Sequence, residues 1–333
     1  MEILLIEDRY YKNIVKKLDK NIIEKTTTHR EIINSAIVDL IDGGGKKLRP
    51  FLMFLAASFG DYDKKELLDL GSSIEILHMA SLLHDDIIDD ADLRRGKVTA
   101  QKRFGKNEAV FIGDFLISRT FDILFEYLDK ETLIKMNKNL RLICEGEIEQ
   151  AEKKYDFNIS IRDYYRRIRH KTALLFAISS YLGAYVSGIR GKKLNILYKL
   201  GLEIGMAFQI QDDILDFNGE QAKTGKKIAK DLEEGVITLP VILLFQKEEY
   251  QKKYSHVLEM GGLKNTELDN RKLEQETIIS ITEDVRNSSV LEESREILKI
   301  FITRVDKYLN YLPKNKAKKR LKKLIAAQID RKY

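Results

Sequence analysis

Residues 65–90 read KELLDLGSSIEILHMASLLHDDIIDD, and this stretch decides the fold. Leu67, Leu68, Ile74, Leu77, Leu82 and Ile88 recur at mixed three- and four-residue spacing, with no strand-like alternation. The segment reads as one long helix ending in a cluster of aspartates. Working outward, no proline stands between Pro50 and Pro240. A proline costs roughly 3 kcal/mol inside a helix, so its absence suits long uninterrupted helices. The chain is expected to be all-α, a single domain over residues 1–333.

Composition bounds the rest. Of 333 residues 44% are apolar and 33% charged, which supports a buried core under a soluble surface and argues against disorder. The one cysteine, Cys144, cannot form an internal disulfide or a thiolate metal cluster, which fits a reducing, cytoplasmic setting. Met1 to Val15 lacks the basic-then-apolar design of a secretory signal. Thr172 to Gly188 is free of charge but contains small and polar residues, and a spanning helix needs about 20 mostly apolar ones. It reads as a buried core helix. The net charge of +6 calls for an anionic partner: nucleic acid, membrane or phosphate ester. Ala91 to Lys106 and Asn218 to Gly235 are polar, glycine-containing loops.

Each of those loops follows a cluster of one design. Asp85-Asp86-Ile87-Ile88-Asp89 returns as Asp212-Asp213-Ile214-Leu215-Asp216. On a helix, residues i and i+4 share a face, so Asp85 with Asp89 and Asp212 with Asp216 would present paired, mutually repelling carboxylates. Within apolar helices such pairs need cations or water. Six oxygen ligands, Asp85, Asp86, Asp89, Asp212, Asp213 and Asp216, suit magnesium, which keeps waters and shares substrate phosphates. A lone cluster would read equally well as a solvated helix end; two copies, each before a basic loop, do not. The EF-hand glycine and terminal glutamate are missing, and no His or Cys cluster suggests zinc.

Cations for a phosphate-bearing ligand lie close by. Gly43 to Pro50 joins flexible backbone to Lys46, Lys47 and Arg49 just before a helix start. Arg94 and Arg95 follow the first cluster, Lys171 precedes a long apolar helix, and Lys226 lies after the second cluster. Taken singly each is an ordinary surface charge. His78, like His84, His170 and His256, taken alone is an ordinary core histidine.

Together these residues resemble the trans-prenyl diphosphate synthases. The resemblance is carried by Gly44-Gly45-Lys46-Lys47-Leu48-Arg49-Pro50, by residues 78–86 and 89–96, by Glu145-Gly146-Glu147 with Gln150, Lys171-Thr172-Ala173, Phe208-Gln209, Gly225-Lys226 and Thr238-Leu239-Pro240. It covers a functional core at about residues 40–245. It implies the isoprenoid synthase fold, long antiparallel helices around a central cavity. It also implies catalysis by Asp85, Asp86, Asp89, Asp212, Asp213, Lys171 and Lys226. About three magnesium ions would clamp an allylic diphosphate with Arg94, Lys171 and Lys226. Lys46, Arg49, His78 and Arg95 would grip isopentenyl diphosphate, and Thr172 and Gln209 would help through their polar atoms. No nucleic acid is implied.

The same resemblance places product-length control just ahead of the first cluster, at Ala80 and Ser81. Neither can fill a deep pocket, so the expected product is long, about six to eight isoprene units (about C30 to C40, centred on about C35), for a menaquinone or other quinone side chain. Farnesyl diphosphate is the expected primer. Within the family, Gly60-Asp61-Tyr62-Asp63 and Arg166-Arg167-Ile168-Arg169 are most similar to the catalytic large subunits of two-component hexaprenyl or heptaprenyl diphosphate synthases. That implies a dimer, with a small non-catalytic helical subunit as the partner. A shorter geranylgeranyl product, or a non-catalytic binding subunit, are the alternatives. The sequence departs from the family at Val236, where many members have lysine. The basic run Lys314 to Lys323, with Leu321, Leu324 and Ile325 behind it, reads as a solvated amphipathic helix, with peripheral contact to an anionic membrane as the sharper option.

Overall fold

The computed structural model describes residues 8–218, 229–260 and 273–329. In chain order its helices are α1 (Arg9–Thr26), α2 (Glu31–Asp42), α3 (Leu48–Ala57), α4 (Lys64–Ile88), α5 (Ala100–Phe104), α6 (Lys106–Tyr127), α7 (Lys130–Glu152) and α8 (Ile161–Ile168). After a π-helical turn at Arg169–Ala173 come α9 (Leu174–Val186), α10 (Gly191–Asn218), α11 (Lys230–Glu233) and α12 (Leu239–Phe245). The chain continues through α13 (Glu248–Lys253), α14 (Ser255–Met260), α15 (Gln275–Asn287), α16 (Val290–Asn310) and α17 (Lys316–Ile329).

The all-α expectation holds with one small exception. The loop expected at 91–106 contains a two-residue hairpin, β1 (Leu93–Arg94) with β2 (Lys97–Val98), and the short helix α5. Arg95 and Gly96 both take positive φ, the backbone of a tight hairpin turn whose twist matches its strands. The periodicity of residues 91–106 is too short to announce either element.

Helix α4 starts where Asp63 accepts hydrogen bonds from the amides of Lys65 and Glu66, both at 2.8 Å, satisfying orphan donors of the first turn. It ends where Asp90 takes positive φ. Between them Leu67, Leu70, Ile74, Ile76, Met79 and Leu83 are buried round its whole circumference, so it is a central strut. Helix α6 lies antiparallel along it: His84 is close to Val110 and Asp114, Thr120 to Ser73, and Tyr127 to Asp69. Helices α9 and α10 form a second antiparallel pair, in which Ser180 donates to the carbonyl of Leu197.

One apolar cluster joins α1, α3, α4, α9 and α10 to α17, with Phe51 and Phe176 fully buried. A second joins α8, α10, α12, α15 and α16, and a third joins α1, α2, α4 and α6. Each large apolar side chain so buried contributes roughly 1.5–3 kcal/mol. The charge-free stretch is α9, buried as expected. These contacts bring the end of α4, the end of α7, the π turn and the end of α10 to one end of the bundle.

Candidate active site

The first aspartate cluster closes α4. Asp85 and Asp86 occupy its last turn and Asp89 caps it, so three carboxylates meet the negative end of the helix dipole. Such a placement calls for outside cations or solvent. Asp85 is pushed up to about 6, chiefly by burial, with Glu147 and Asp89 adding to the effect and Lys171 opposing it. Asp86 is 2% exposed, and its Oδ1 accepts from Arg94 Nε at 2.6 Å. Burial raises its pKa while the Arg94 bond works against that rise.

The second cluster lies in the last two turns of α10. Asp213 is 2% exposed and has both oxygens engaged: Tyr164 Oη donates to Oδ2 at 2.6 Å and Gln209 Nε2 to Oδ1 at 2.8 Å. Thr172 Oγ1 in turn donates to Gln209 Oε1 at 2.7 Å. Asp216 accepts the backbone amides of Lys230 and Asp231 at 3.4 and 3.3 Å. Burial first and Asp231 second push Asp213 up to about 8 and Asp216 to about 7. Asp231 is itself raised, by burial and then by Glu234.

Both clusters open into one cavity of about 360 Å³, walled by Asp85 and Asp89 on one side and by Asp213 and Asp231 on another. Lys171, Thr172 and Gln209 line it between them. Lys171 sits in the π turn, a local unwinding that recurs at functional sites. Gly146 and Gly205 let α7 and α10 close on that turn. A Cβ on Gly146 would lie 2.6 Å from His170 Cβ, and one on Gly205 2.5 Å from Ala173 Cα. Lys171 Nζ lies 2.8 Å from Glu147 Oε2. Burial opposes its charge, yet Glu147, Asp85 and Asp89 hold its pKa above the ordinary value.

Val236, the sequence's departure from the family pattern, lines the cavity, and Lys230 lines it too, with Nζ 2.9 Å from Glu234. Lys226 lies outside the described residues. Among the described residues no three carboxylate, histidine or cysteine groups form a ready-made metal cage. What the site offers is oxygen donors in excess of cations, around a space large enough for a phosphate ester. That donor chemistry fits hard divalent ions shared with a ligand's phosphates.

A second group of cations adjoins the start of α3. Burial lowers the pKa of Arg49, against the attraction of Glu75 and Asp212. The Arg49 guanidinium also lies 4.9 Å over the Phe176 ring, and its Nε is buried and unpartnered. Glu75, buried on α4, faces Lys47, Arg49 and Arg95. His78, one turn on, is held well below the ordinary histidine value by burial and then by Arg49, Arg95 and Arg94, so its ring is neutral. Lys46 presents its carbonyl to Tyr11 Oη at 2.5 Å. Arg49, His78 and Arg95 thus lie about a buried glutamate together with Lys47, while Lys46 is placed only through its backbone carbonyl.

Ala80 and Ser81 line neither group. Ala80 is fully buried in the cluster with Met79, Leu83, Ile112 and Leu116, whereas Ser81 is exposed and donates to the carbonyl of His78. Sequence reasoning missed Tyr164, Asp231 and Glu75 as site residues, and gave Arg167, which lines the cavity and donates to the Ile237 carbonyl, only as part of a family run. The only available signal was Glu75, a single carboxylate between Ile74 and Ile76 one turn before His78.

The polyprenyl synthetase family pattern matches residues 30–274. Heptaprenyl diphosphate synthase component 2 of Bacillus subtilis (strain 168) is 35% identical over 291 residues, 87% of this chain and 80% of that one. The crystal structure of heptaprenyl diphosphate synthase from Staphylococcus aureus superposes with a TM-score of 0.88 at 29% identity, covering 96% of this chain and 98% of that one. A polyprenyl synthase from Caulobacter crescentus, solved with calcium and isoprenyl diphosphate, gives 0.88 at 29% identity over 99% of this chain and 98% of that one. The helical architecture is thus the isoprenoid synthase fold, and the chain belongs to the polyprenyl synthetase family of prenyltransferases.

Proposed function

We propose that this chain extends an allylic diphosphate, with farnesyl diphosphate as primer, by successive condensation with isopentenyl diphosphate to a long all-trans product of about C30 to C40. The observation that carries the reading is the single cavity shared by Asp85 and Asp89 with Asp213, with Lys171 on its wall. The family depends on magnesium in general. When bound, magnesium supplies the positive charge that stabilises a departing diphosphate. Asp85, Asp89 and Asp213, which wall the cavity, are the residues we assign to hold it, with Asp212 beside Asp213. Asp86, hydrogen-bonded to Arg94, and Asp216 complete the two clusters as further ligands.

The protein's own residues supply the rest. Lys171 and Lys230 present charge to the diphosphate, which electrostatic preorganisation turns into leaving-group stabilisation. Arg49, Arg95, Lys46 and neutral His78 hold isopentenyl diphosphate beside it, and Arg49, near both Glu75 and Asp212, links the two halves. The apolar walls exclude water from the allylic cation while the double bond attacks. A proton then leaves to the released diphosphate, so no protein nucleophile is needed.

Residues 1–333 act as one domain in this reading, supported by a core cluster that runs from Tyr11 to Ala327. The likeness to a component 2 protein supports a small partner subunit. A purely non-catalytic role is disfavoured, since a binding module has no use for two aspartate clusters on one cavity. Incubation with labelled isopentenyl diphosphate and farnesyl diphosphate, with and without a candidate small subunit, tests the proposal. Magnesium-dependent long-chain product is expected; no incorporation under any combination overturns it.

A further inference from the structure

The basic run that closes the sequence is not used by this chemistry. From Lys307 to Ile329 there are eight cationic side chains and no carboxylate. Helix α17 turns Ala317, Leu321, Leu324 and Ala327 into the core, so its apolar face is spent on folding and cannot insert elsewhere. Its other face carries Lys316, Lys319, Lys322 and Lys323, exposed, with Lys314 just ahead. None of these five has a carboxylate partner among the described residues, whereas Arg320 is tied to Asp8 at 3.2 Å. Lys316, Lys318 and Lys319 stand in the first turn, against the positive end of the helix dipole, and only Asn315 caps it. Stability alone would not arrange charges this way.

The position of the helix identifies what they meet. Asn315 donates to the carbonyl of Ser58 at 3.1 Å and Lys193 to that of Phe59 at 2.8 Å, so α17 and α10 both start at the end of α3. The aspartates lie at the other ends of α4 and α10. A second cavity, about 320 Å³, lies between α7, α9 and the start of α10, lined by Met136, Ile178, Leu182 and Leu194. Leu194 is roughly 20 Å along α10 from Gln209 at 1.5 Å per residue. Exposed Arg190 and Lys192 flank it, and Tyr311, 58% exposed, stands before Lys314 as aromatic residues do at membrane interfaces. The carboxylates at this end include Asp129, held by the Tyr185 hydroxyl, Glu131, held by Lys135, and the exposed Asp61 and Asp63.

We propose that this end of the bundle docks electrostatically on an anionic lipid surface, with the α17 lysines as its main contacts and the apolar cavity opening toward the bilayer. The choice of lipid over nucleic acid rests on the prenyl reading above and on the apolar cavity among the cations. Each lysine near such a surface adds attraction, and salt screens it.

Flotation of the full chain with phosphatidylcholine vesicles, alone or with about 30% phosphatidylglycerol, tests this. Binding is expected only to the anionic vesicles and is lost at about 0.5 M salt. Combined Lys314→Gln, Lys316→Gln, Lys319→Gln, Lys322→Gln and Lys323→Gln should weaken it more than about tenfold, and the same five changes to arginine should retain it. Equal binding to neutral vesicles, no binding, full binding by the glutamine variant, or tighter binding to a single-stranded RNA oligonucleotide would overturn it. Turnover in detergent, measured in parallel, should be equal in wild type and the glutamine variant. Absent turnover in the wild type counts against the prenyl reading alone.

Discussion

Tyr164 Oη donates to Asp213 Oδ2 across 2.6 Å, with both residues almost fully buried, and with the Gln209 bond it holds the second aspartate cluster on the end of α10. Burial lifts Asp213 to about 8, so without metal it keeps its proton over a range where the unfolded chain's aspartate, near 4, has lost its own. Stability therefore falls as pH rises across that window. Tyr164 resists the fall by favouring the ionised form. Tyr164→Phe should unfold more easily by about 1.5–3 kcal/mol, most of all above pH 8, as read by thermal melts of metal-free protein at several pH values. A gap that shrinks with rising pH would contradict this.

His78 gives the opposite slope. Its folded pKa lies well below 6.5, so as pH drops under that value the unfolded chain takes up a proton and the folded one does not. The fold loses at most about 1.4 kcal/mol per pH unit from this group, until His78 itself is protonated. His78→Asn should flatten the acid side of the stability profile as pH falls below about 6.5. A profile as steep as that of the wild type would show His78 to be charged in the fold.

Much of this was legible in advance, and the reason is local. Apolar spacing in Lys65 to Asp90 and the missing prolines announce long helices, and the repeated DDxxD pattern announces the two clusters. Tyr164 and Asp231 were not legible, because their roles come from helices α8 and α11 folding against α10, a relation between segments with no local pattern. The π turn that presents Lys171 is equally silent in sequence, since it follows from close approach at Gly146 and Gly205. The apolar residues behind the basic run looked like a free amphipathic face, but packing on α3 consumed them.

The two residues ahead of the first cluster should part company on substitution. Ala80 is fully enclosed, so Ala80→Phe overpacks the α4–α6 contact and should cost about 1–3 kcal/mol of stability. Ser81 is exposed, so Ser81→Phe should fold normally. If product length is controlled there, Ser81→Phe gives a shorter chain on thin-layer chromatography of the dephosphorylated product. Unchanged length would move control away from this turn.

Lys171 is placed to act on the diphosphate and is held charged by Glu147. Lys171→Ala should lower turnover by about 10²- to 10³-fold while the melting temperature changes little, since the side chain touches water and the cavity rather than the core. Comparable losses in turnover for a remote surface lysine such as Lys199 would remove its special status.

The central claim is that the two aspartate clusters serve one metal–diphosphate assembly, and a double-mutant cycle tests it most directly. Calorimetry would measure inorganic pyrophosphate binding with magnesium for wild type, Asp85→Asn, Asp212→Asn and the pair. The account predicts strong non-additivity, a coupling above about 1 kcal/mol, because each residue depends on an assembly the other helps to hold. Losses that add within about 0.5 kcal/mol would mean two independent sites, and the proposed reaction would have no common centre.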